Sequence, residues 1–283
     1  MLKPLVIAMS TLVISGCTSI GVEVANLPAK FSSNQHVSDL VYRQDPEQKL
    51  DIYIPQQAQN QALPVVVFFY GGRWESGSKE MYAFLGDKLA DRQFVTVMVD
   101  YQKYPEVRFP VFVQDAAKAI AWVSNNIAAY GGNPDKIFVA GHSAGAHIGA
   151  LVTADERYLA AEGKSNQTIK GFAGLAGPYD FVPQAEDLKA IFAPPENYPK
   201  MQVTTFIDGN EPPMLLLWGD ADTEVWRRNL DLLTQKIQQQ GGIVETKVYA
   251  GVGHVGILAN QAWFVPGKAT ALDDLTAFFN QYK

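Results

Sequence analysis

The sequence holds a single cysteine, Cys17, among its 283 residues. A lone thiol has no partner within the chain, so a framework of intramolecular disulfide bonds is excluded. The composition is instead that of an ordinary globular protein, with 47% hydrophobic, 11% aromatic and 18% charged residues. A chain of this length and composition is sufficient for one large domain with its own hydrophobic core.

Clusters of basic residues are also missing. The chain has 23 lysines and arginines against 29 aspartates and glutamates, a formal net charge of -6, and no local concentration of positive charge stands out. Nucleic-acid-binding surfaces carry such a concentration, so we expect no nucleic-acid partner. No cluster of metal ligands and no phosphate-cradling glycine loop is recognisable, so neither a metal nor another cofactor is expected.

The hydrophobic run at the start of the chain is too short to span a bilayer. It lies in residues 1–16 and has about ten mainly apolar residues, whereas a transmembrane helix needs about 20. A positive charge at Lys3, a short apolar stretch and small residues behind it are typical of an export signal. Residues 1–16 are therefore predicted to be a signal peptide that is absent from the mature protein.

The end of this signal indicates its type. Residues 14–17, Ile-Ser-Gly-Cys, resemble the lipobox of bacterial lipoproteins, whose cysteine is lipidated and becomes the new N-terminus. Lipidation of Cys17 explains the position of the single thiol, and a stray thiol behind a plain secretory signal is the alternative. An aspartate after the cysteine tends to retain lipoproteins in the inner membrane, but Thr18 stands there. We therefore expect a lipid-anchored protein of a bacterial cell envelope, in the outer membrane and facing the periplasm or the exterior.

Residues 17–35 show no periodicity and are predicted to be a tether, and residues 36–283 to be one α/β domain. Alternating segments at Val37–Arg43 and Leu50–Pro55 predict an antiparallel lead-in. Near-continuous apolar runs predict strands at Pro64–Tyr70, Phe94–Asp100, Lys136–Ala140 and Pro213–Trp218, and Ile243–Val248 is a further strand-like segment. Helical spacing predicts helices at Glu80–Arg92 and Val111–Tyr130. This alternation predicts an open, mostly parallel sheet covered by helices on both faces.

The most informative motif is the G-x-S-x-G pentapeptide at residues 141–145. It follows the apolar run 137–140 and precedes sequence that suits a helix. In a strand-turn-helix context, the small residues allow the serine to occupy a tight turn with its hydroxyl above the sheet edge. Ser143 is therefore predicted to be a nucleophile. The alternative is that a serine between glycines forms an ordinary turn.

A serine nucleophile needs a base, and the chain has four histidines. His36 precedes the first core strand, and neither His142 nor His147 is predicted to point towards the serine hydroxyl. His254 lies in a glycine-bearing loop after residues 243–248, at the carboxyl edge of the sheet, where ligands bind in α/β folds. Elimination therefore predicts His254 as the base, against the alternative of a structural histidine.

The base must be oriented by a carboxylate, and the chain order serine, acid, histidine puts that acid between Ser143 and His254. The segment Trp218–Val225 follows an apolar run and contains three carboxylates. Asp222 is predicted as the acid because two residues separate it from the preceding glycine, which is the spacing usual in serine hydrolases. Asp220 comes earlier, where it could cap the turn or the next helix, and remains the alternative.

Catalysis of this kind also needs an oxyanion hole, in which backbone N–H groups face the charge that develops on the carbonyl oxygen. One donor is expected to be the amide of Ala144, directly after the nucleophile. Further donors are expected in the loop Tyr70–Trp74, whose two glycines allow the backbone to approach a substrate. A glycine pair after a strand is equally compatible with a simple turn.

Together these motifs resemble those of the α/β-hydrolase carboxylesterases, over roughly residues 40–280. The most similar branch contains isoprenylcysteine methylesterases and feruloyl or acetyl-xylan esterases, and is related to hormone-sensitive-lipase-like esterases and kynurenine formamidases. The resemblance rests on Tyr70-Gly-Gly-Arg-Trp74, Asp100-Tyr101, Pro110 with Asp115 and Ala116, Tyr130-Gly-Gly-Asn-Pro-Asp135, Gly141 to His147, Gly219 to Asp222 and Gly253-His254.

The resemblance implies a short cap insertion, here Tyr179–Asn210, and a triad of Ser143, Asp222 and His254. It also implies oxyanion donors at the amides of Gly72, Arg73 and Ala144. Two departures leave open which amide of that loop points inward: Tyr70 replaces the usual histidine, and Arg73 replaces a third glycine. Four aromatic residues of the cap are available to line a pocket, with the alternative that they hold the cap loop down: Phe181, Phe192, Tyr198 and Phe206.

The expected activity is hydrolysis of a small-molecule carboxylic ester through an acyl-enzyme intermediate, without a cofactor. Two alternatives remain. An amidase or peptidase, such as an enzyme acting on aryl-formamides, uses the same triad. A surface binding lipoprotein could have kept the fold and lost turnover.

Overall fold

The computed structural model describes residues 21–44, 48–58, 62–265 and 267–283. Its strands are β1 (Gln35–Val41), β2 (Lys49–Ile54), β3 (Leu63–Phe69), β4 (Val95–Val99), β5 (Gly132–His142), β6 (Ile169–Leu175), β7 (Met214–Gly219) and β8 (Val244–Tyr249). They form one sheet in the order β1-β2-β4-β3-β5-β6-β7-β8. The first two pairings, β1 with β2 and β2 with β4, are antiparallel, and the others are parallel. The predicted mostly parallel sheet with an antiparallel lead-in is confirmed.

Helices connect these strands. Residues 21–26 are helical and are here named α1. The others are α2 (Ala83–Asp91), α3 (Val111–Asn126), α4 (Ala144–Ala154), α5 (Glu156–Ala161), α6 (Glu186–Phe192), α7 (Tyr198–Met201), α8 (Arg228–Gln239), α9 (Gly256–Ala259) and α10 (Ala271–Gln281). Within the described ranges, none of these helices has the length and apolar character needed to cross a membrane. The predicted signal at 1–16 and Cys17 lie outside the described residues.

The central strands are covered on both faces. All five residues of β4 are buried, and so are six of the seven residues of β3. Successive side chains of a strand point to opposite faces, so burial of every position requires packing on each side of the sheet. By contrast, β8 at the edge is mostly exposed. The core therefore lies around β3, β4 and β5, which is also where the predicted nucleophile is placed.

Strand β6 is an element that the apolar runs did not predict. Its sequence, IKGFAGL, is interrupted by a lysine and two glycines. The second of these, Gly174, is required by packing, because a Cβ there would collide with the hydroxyl oxygen of Tyr179. A strand whose glycines serve a neighbouring ring has too weak a hydrophobic pattern to be recognised from composition alone.

The segment predicted to be a tether, residues 17–35, has secondary structure in the part that the structure describes. Residues 21–26 are helical, Pro28–Phe31 form a 3-10 turn, and β1 begins at Gln35. The segment is held by hydrogen bonds from residues distant in sequence: Trp263 Nε1 donates to the carbonyl of Val24 at 2.9 Å. These contacts have no signature in the local sequence, which is why a weakly periodic segment was interpreted as a linker.

The register of the parallel strands brings several loops to one edge of the sheet. Phe69 of β3 pairs with Gly141 of β5, so the loop after β3 begins beside the G-x-S-x-G turn. Gly219 of β7 pairs with Tyr249 of β8, so the segments that carry Asp222 and His254 leave the same edge. Polar residues from four separate stretches of sequence therefore meet above the carboxyl ends of the strands.

Candidate active site

Ser143 occupies the turn between β5 and α4. Its backbone has φ 54° and ψ -122°, a conformation that residues with a side chain rarely adopt. A Cβ on Gly145 would collide with the carbonyl oxygens of Phe69 and Tyr70, and one on Gly141 would collide with the carbonyl of Gly145. Only glycine fits at these two positions, which is the physical reason for the spacing of the motif.

The structure brings Ser143, His254 and Asp222 into one chain of hydrogen bonds. The hydroxyl of Ser143 donates to Nε2 of His254, with an oxygen–nitrogen distance of 2.8 Å. Nδ1 of the same ring donates to Oδ2 of Asp222 at 2.8 Å. The side chains of His254 and Asp222 are buried. The three side chains lie within the distance over which a proton can pass from an alcohol to an imidazole.

Asp222 is held ionised by its surroundings. Burial by itself raises the pKa of a carboxyl group, but hydrogen bonds outweigh it and the pKa of Asp222 lies below its usual range. The donors are His254 and the backbone amides of Glu224 and Val225, whose nitrogens lie 2.8 and 2.9 Å from Oδ1. A carboxylate fixed at both oxygens can orient the imidazole and stabilise its cation.

The alternative acid, Asp220, has a different contact. Its Oδ1 accepts a hydrogen bond from the backbone amide of Gly251 at 2.6 Å. This bond connects the end of β7 to the loop that carries His254. The carboxylate that meets the imidazole is that of Asp222, and Asp220 supports the loop instead.

The other three histidines lie at separate places. His36 is on β1, where Nε2 lies 3.1 Å from Oδ2 of Asp51. His147 is buried in α4 and donates from Nε2 to the carbonyl of Met201 at 2.7 Å. His142 donates from Nε2 to the backbone carbonyl of His254 at 3.1 Å, and the two rings are 4.9 Å apart. His142 thus supports the loop of the candidate base, a contact that sequence reasoning did not predict.

Burial keeps His142 in the elbow and His147 in α4 neutral at physiological pH. Burial lowers the pKa of His142 to about 3, and the neighbouring His254 adds to the shift. Burial also lowers the pKa of His147 to about 4. Nδ1 of each ring has no hydrogen-bond partner within the described ranges, which fits rings that carry their single proton on Nε2.

The loop after β3 approaches the elbow closely. A Cβ on Gly71 would lie 2.9 Å from Nδ1 of His142. The next residues, Gly72, Arg73 and Trp74, have φ angles of 140°, 56° and 61°. The amide of Gly71 donates to the Tyr82 hydroxyl at 3.3 Å, whereas in the described ranges the amides of Gly72, Arg73 and Ala144 donate to no other group. Those three amides remain available to an oxygen atom bound beside Ser143.

The start of this loop is held by side chains rather than by its own backbone. The hydroxyl of Tyr70 donates to Oδ1 of Asp100 at 2.8 Å, and the same Oδ1 accepts from the amide of Lys79 at 3.0 Å. The hydroxyl of Tyr101 donates to the carbonyl of Tyr70 at 2.9 Å. Tyr70, which replaces the histidine usual in the related esterases, is thus anchored by Asp100 and Tyr101. This contact gives a structural role to the Asp100-Tyr101 dipeptide, one of the motifs on which the resemblance rests.

These groups lie at the base of a cleft of about 1210 Å³. Its lining includes Ser143 and His254, the loop 71–77, and residues of α1 and of the cap. Arg73 connects two of these walls, since its Nε lies 2.6 Å from Oδ2 of Asp187 in α6. The cleft is therefore open to small molecules and is framed by an ion pair between the glycine loop and the cap.

The cap aromatics divide between the two roles considered for them. Four rings were available to line a pocket or to hold the cap down, namely Phe181, Phe192, Tyr198 and Phe206. Of these, Phe181 lines the cleft. Phe192 is fully buried, with its ring centroid 4.9 Å from that of Trp74, and the Arg157 guanidinium lies 5.0 Å from the centroid of Phe206. Phe192 and Phe206 thus pack against the domain, and Trp74 lines the cleft together with Phe181.

Within the described ranges, no group of three or more histidine, cysteine, aspartate or glutamate side chains is arranged to hold a metal ion.

A family model described as BD-FAE matches residues 50–237. The chain belongs to the BD-FAE family. The match spans strands β2 to β7 and the elbow, and it ends before the loop that carries His254. It agrees with the predicted resemblance to the α/β-hydrolase esterases.

Individual proteins support this placement. The isoprenylcysteine alpha-carbonyl methylesterase ICME of Arabidopsis thaliana is 29% identical over 87% of this chain and 62% of its own length. Esterase LipC of Mycobacterium tuberculosis is 30% identical over 77% of this chain and 59% of its own. This BD-FAE member thus spans less than two thirds of these curated relatives. The Pyrobaculum calidifontis esterase superposes with a TM-score of 0.78 at 23% identity, covering 94% of this chain and 90% of that one, and shows the α/β-hydrolase fold.

Proposed function

We propose that this protein is a serine carboxylesterase that hydrolyses a small-molecule ester through an acyl-enzyme intermediate. The observation that carries the proposal is the hydrogen-bonded chain from Asp222 through His254 to Ser143, with both distances 2.8 Å, at the base of an open cleft. The names of the relatives, methylesterase and esterase, agree with this activity for proteins of the same fold.

In the proposed acylation step, Oγ of Ser143 attacks the ester carbonyl carbon while Nε2 of His254 takes the hydroxyl proton. The imidazolium that forms is stabilised by the buried carboxylate of Asp222. Nε2 then returns the proton to the oxygen of the leaving alcohol, and the acyl group remains on the serine. Water attacks the acyl-enzyme by the same route, with His254 again as the base, and the carboxylic acid is released.

The charge that develops on the carbonyl oxygen needs donors beside Ser143. We propose the amides of Gly72, Arg73 and Ala144 for this role, because each is free of other hydrogen bonds in the described ranges. Gly71 is disfavoured, since its amide donates to the hydroxyl of Tyr82. Removing one such donor typically costs on the order of a hundredfold or more in kcat.

A substrate panel tests the activity and separates it from its alternatives. We expect p-nitrophenyl esters of short and medium chain length to be hydrolysed faster than an anilide or an N-formyl compound of matched structure. Faster cleavage of the anilide or the formamide identifies an amidase of the same fold. Absence of turnover together with failure of a fluorophosphonate to label Ser143, checked by mass spectrometry, indicates a binding protein.

We also propose that Cys17 is lipidated and anchors the enzyme to a bacterial membrane, with the outer membrane facing the periplasm or exterior as the expected location. The proposal rests on the sequence of residues 1–17 alone. A diacyl anchor supplies the two chains that stable membrane attachment needs. Labelled palmitate should be incorporated into the wild type and not into Cys17→Ser. Mass spectrometry that finds an unmodified cysteine, or cleavage elsewhere, contradicts the anchor.

A further inference from the structure

Exposed large apolar side chains are concentrated at the mouth of the catalytic cleft. Five that line it are between 40% and 69% exposed, namely Met81, Val182, Trp226, Val255 and Phe264. They come from five separate segments of the chain, so no single hydrophobic stretch of sequence accounts for the cluster. Scattered exposed apolar residues are normal, but a group of them around one opening marks a contact surface.

Helix α1 belongs to the same rim. Gly21, Val22 and Ala25 line the cleft beside the loop 71–77. The helix is fixed there by Trp263, which donates to the carbonyl of Val24, and by a pair of bonds from Asn26. The amide of Asn26 donates to the carbonyl of Glu80 at 2.8 Å, and its Oδ1 accepts from the amide of Phe84 at 2.9 Å. Both partners of Asn26 flank Met81, so α1 is attached next to a rim residue.

The position of α1 restricts where a lipid on Cys17 can lie. Gly21 lines the cleft, and Cys17 is four residues before it in the sequence. Even a fully extended chain spans at most about 3.6 Å per residue, so four residues can carry a lipid anchor no further than roughly 14 Å from Gly21. An anchor with so short a reach brings the bilayer to the mouth of the cleft rather than to a remote face of the domain.

We propose that the rim of the cleft rests on the bilayer that holds the Cys17 lipid, and that the enzyme takes from this bilayer an ester with an apolar part. The inference rests on the proposed lipidation and deepens the proposed esterase activity by naming where the substrate comes from. The apolar side chains of the rim enter the boundary between headgroups and acyl chains, about 5–10 Å deep. The ester bond then lies near Ser143, and water supplies the hydroxyl group of the acid and the proton of the alcohol.

The charge of the protein favours an apolar contact over an electrostatic one. The formal net charge is -6, and the rim carries both signs, with Arg73 and Arg228 beside Glu75 and Glu224. Attraction to anionic lipid would need a basic cluster. Attachment is therefore expected to be insensitive to salt, and a second copy of the chain is a less suitable occupant because the anchor already places lipid at this opening.

A single-cysteine probe tests the orientation. Because lipidation consumes the only natural thiol, an introduced cysteine is the only free one in the full-length protein. Trp226→Cys places it on the rim, and Ile243→Cys places it at a similarly exposed apolar position before edge strand β8, outside the cleft. Each is labelled with an environment-sensitive fluorophore and incorporated into phosphatidylcholine vesicles, with or without brominated acyl chains. We expect a blue shift and quenching at position 226 and neither at 243.

The outcomes separate this inference from the anchor. Flotation with vesicles and the mass of the N-terminal peptide report lipidation independently of orientation. Protein that floats but shows no quenching at position 226, or equal quenching at both positions, overturns the orientation alone. Disulfide cross-linking between copies through position 226 in vesicles identifies a dimer interface and overturns it too. Protein that does not float overturns the anchor and this inference together.

A second measurement tests the source of the ester. A fluorogenic long-chain ester is dissolved either in the vesicles that carry the wild-type protein or in separate vesicles without protein, at the same total concentration. We expect faster hydrolysis when the ester shares the bilayer, with Ser143→Ala as the blank. Equal rates mean that the ester reaches the cleft through water, which overturns the proposed source. No hydrolysis of any ester, with quenching at position 226 intact, overturns the esterase activity and leaves the orientation standing.

Discussion

Two glycine-bearing turns meet at the candidate site, and they are held in different ways. The elbow at residues 141–145 is fixed by contact between backbone atoms, since a Cβ on either flanking glycine collides with carbonyl groups. The loop 70–77 has two backbone hydrogen bonds of its own, from the amides of Glu75 and Ser76 to the carbonyl of Gly72, but its start is held by side chains, through the hydrogen bonds of Tyr70 with Asp100 and of Tyr101 with Tyr70. The elbow thus depends on close backbone packing, partly against Phe69 and Tyr70 at the end of β3, and the start of the loop depends on side chains about thirty positions away.

This difference decides how each turn responds to mutation. In the elbow, the conformation survives loss of the serine hydroxyl, because that hydroxyl takes no part in holding the turn. In the loop, a single buried hydroxyl at Tyr70 bonds to Asp100 and receives a bond from Lys103 at 3.1 Å. A mutation of Ser143 can therefore change the rate of ester hydrolysis without changing the conformation of the elbow. A mutation of Tyr70 is expected to change the conformation of the loop and the rate together.

The largest effect is expected in the elbow. Ser143→Ala should lower kcat for esters by on the order of 10⁶, as loss of a serine nucleophile does in serine hydrolases. The melting temperature should stay within about 1–2 °C of the wild type, because the one hydrogen bond lost, to Nε2 of His254, is only partly buried and lies in the lining of the cleft. Steady-state kinetics with differential scanning fluorimetry measures both. Wild-type turnover by the purified variant would falsify the serine mechanism.

The second largest effect concerns the acid. Asp222→Asn should reduce kcat by about 10⁴, because an amide in place of the carboxylate favours the wrong imidazole tautomer. Asp220→Asn is the matched control, and it should stay within about tenfold because its Oδ1 can still accept from the amide of Gly251. Kinetics at saturating ester compares the two. Reversed magnitudes assign the acid to Asp220.

On the loop side of the comparison, Tyr70→Phe should have a smaller effect on rate and a larger one on stability. Loss of a buried hydrogen bond typically costs about 1–3 kcal/mol of unfolding free energy. If the loop carries oxyanion donors, kcat should also fall by about tenfold with little change in KM, because only the transition state uses them. Urea unfolding and kinetics on the same preparation test both parts. An unchanged kcat beside reduced stability removes the link between Tyr70 and the oxyanion donors.

The smallest effect on catalysis is expected at His147, in α4 behind the elbow, where the predicted change concerns the pH dependence of stability. In the folded state the pKa of His147 is lowered to about 4, below the ordinary value of 6.5. As the pH falls from 6.5 to 4, the unfolded chain binds a proton that the folded chain does not, so the unfolding free energy decreases by up to about 1.4 kcal/mol per pH unit. His142 contributes in the same direction.

His147→Gln tests this slope, since its amide can still donate to the carbonyl of Met201. Between pH 6.5 and 4.5 the unfolding free energy of the variant should decrease less than that of the wild type. Because one of the two buried histidines is removed, the loss of unfolding free energy due to His142 and His147 together should fall by about half. Denaturant unfolding at several pH values gives the slope, and other titrating groups cancel in the difference between the two proteins. Parallel curves would contradict a buried neutral His147.

The parts of the protein that were predictable are those with a local pattern. Apolar runs identified β3, β4, β5 and β7, a strand-like segment identified β8, and helical spacing identified α2 and α3. Strand β6 was missed because Gly174 serves the packing of Tyr179. Residues 21–26 were interpreted as tether because the bonds that hold them come from Trp263 and from residues 80–84. Elements held by distant partners leave little trace in their own sequence.

The amino-acid sequence by itself indicated the elbow, because the G-x-S-x-G spacing after an apolar run is a local pattern, whereas the crowding that requires glycine at 145 comes from the carbonyls of Phe69 and Tyr70 in the folded sheet. It also narrowed the base to His254 and the acid to two candidates. Only the tertiary structure decided that the imidazole meets Asp222 rather than Asp220, that His142 supports the loop of His254, and that α1 borders the cleft. Each of these is a contact between residues far apart in the chain, and such contacts form only when the whole sheet brings their loops to one edge.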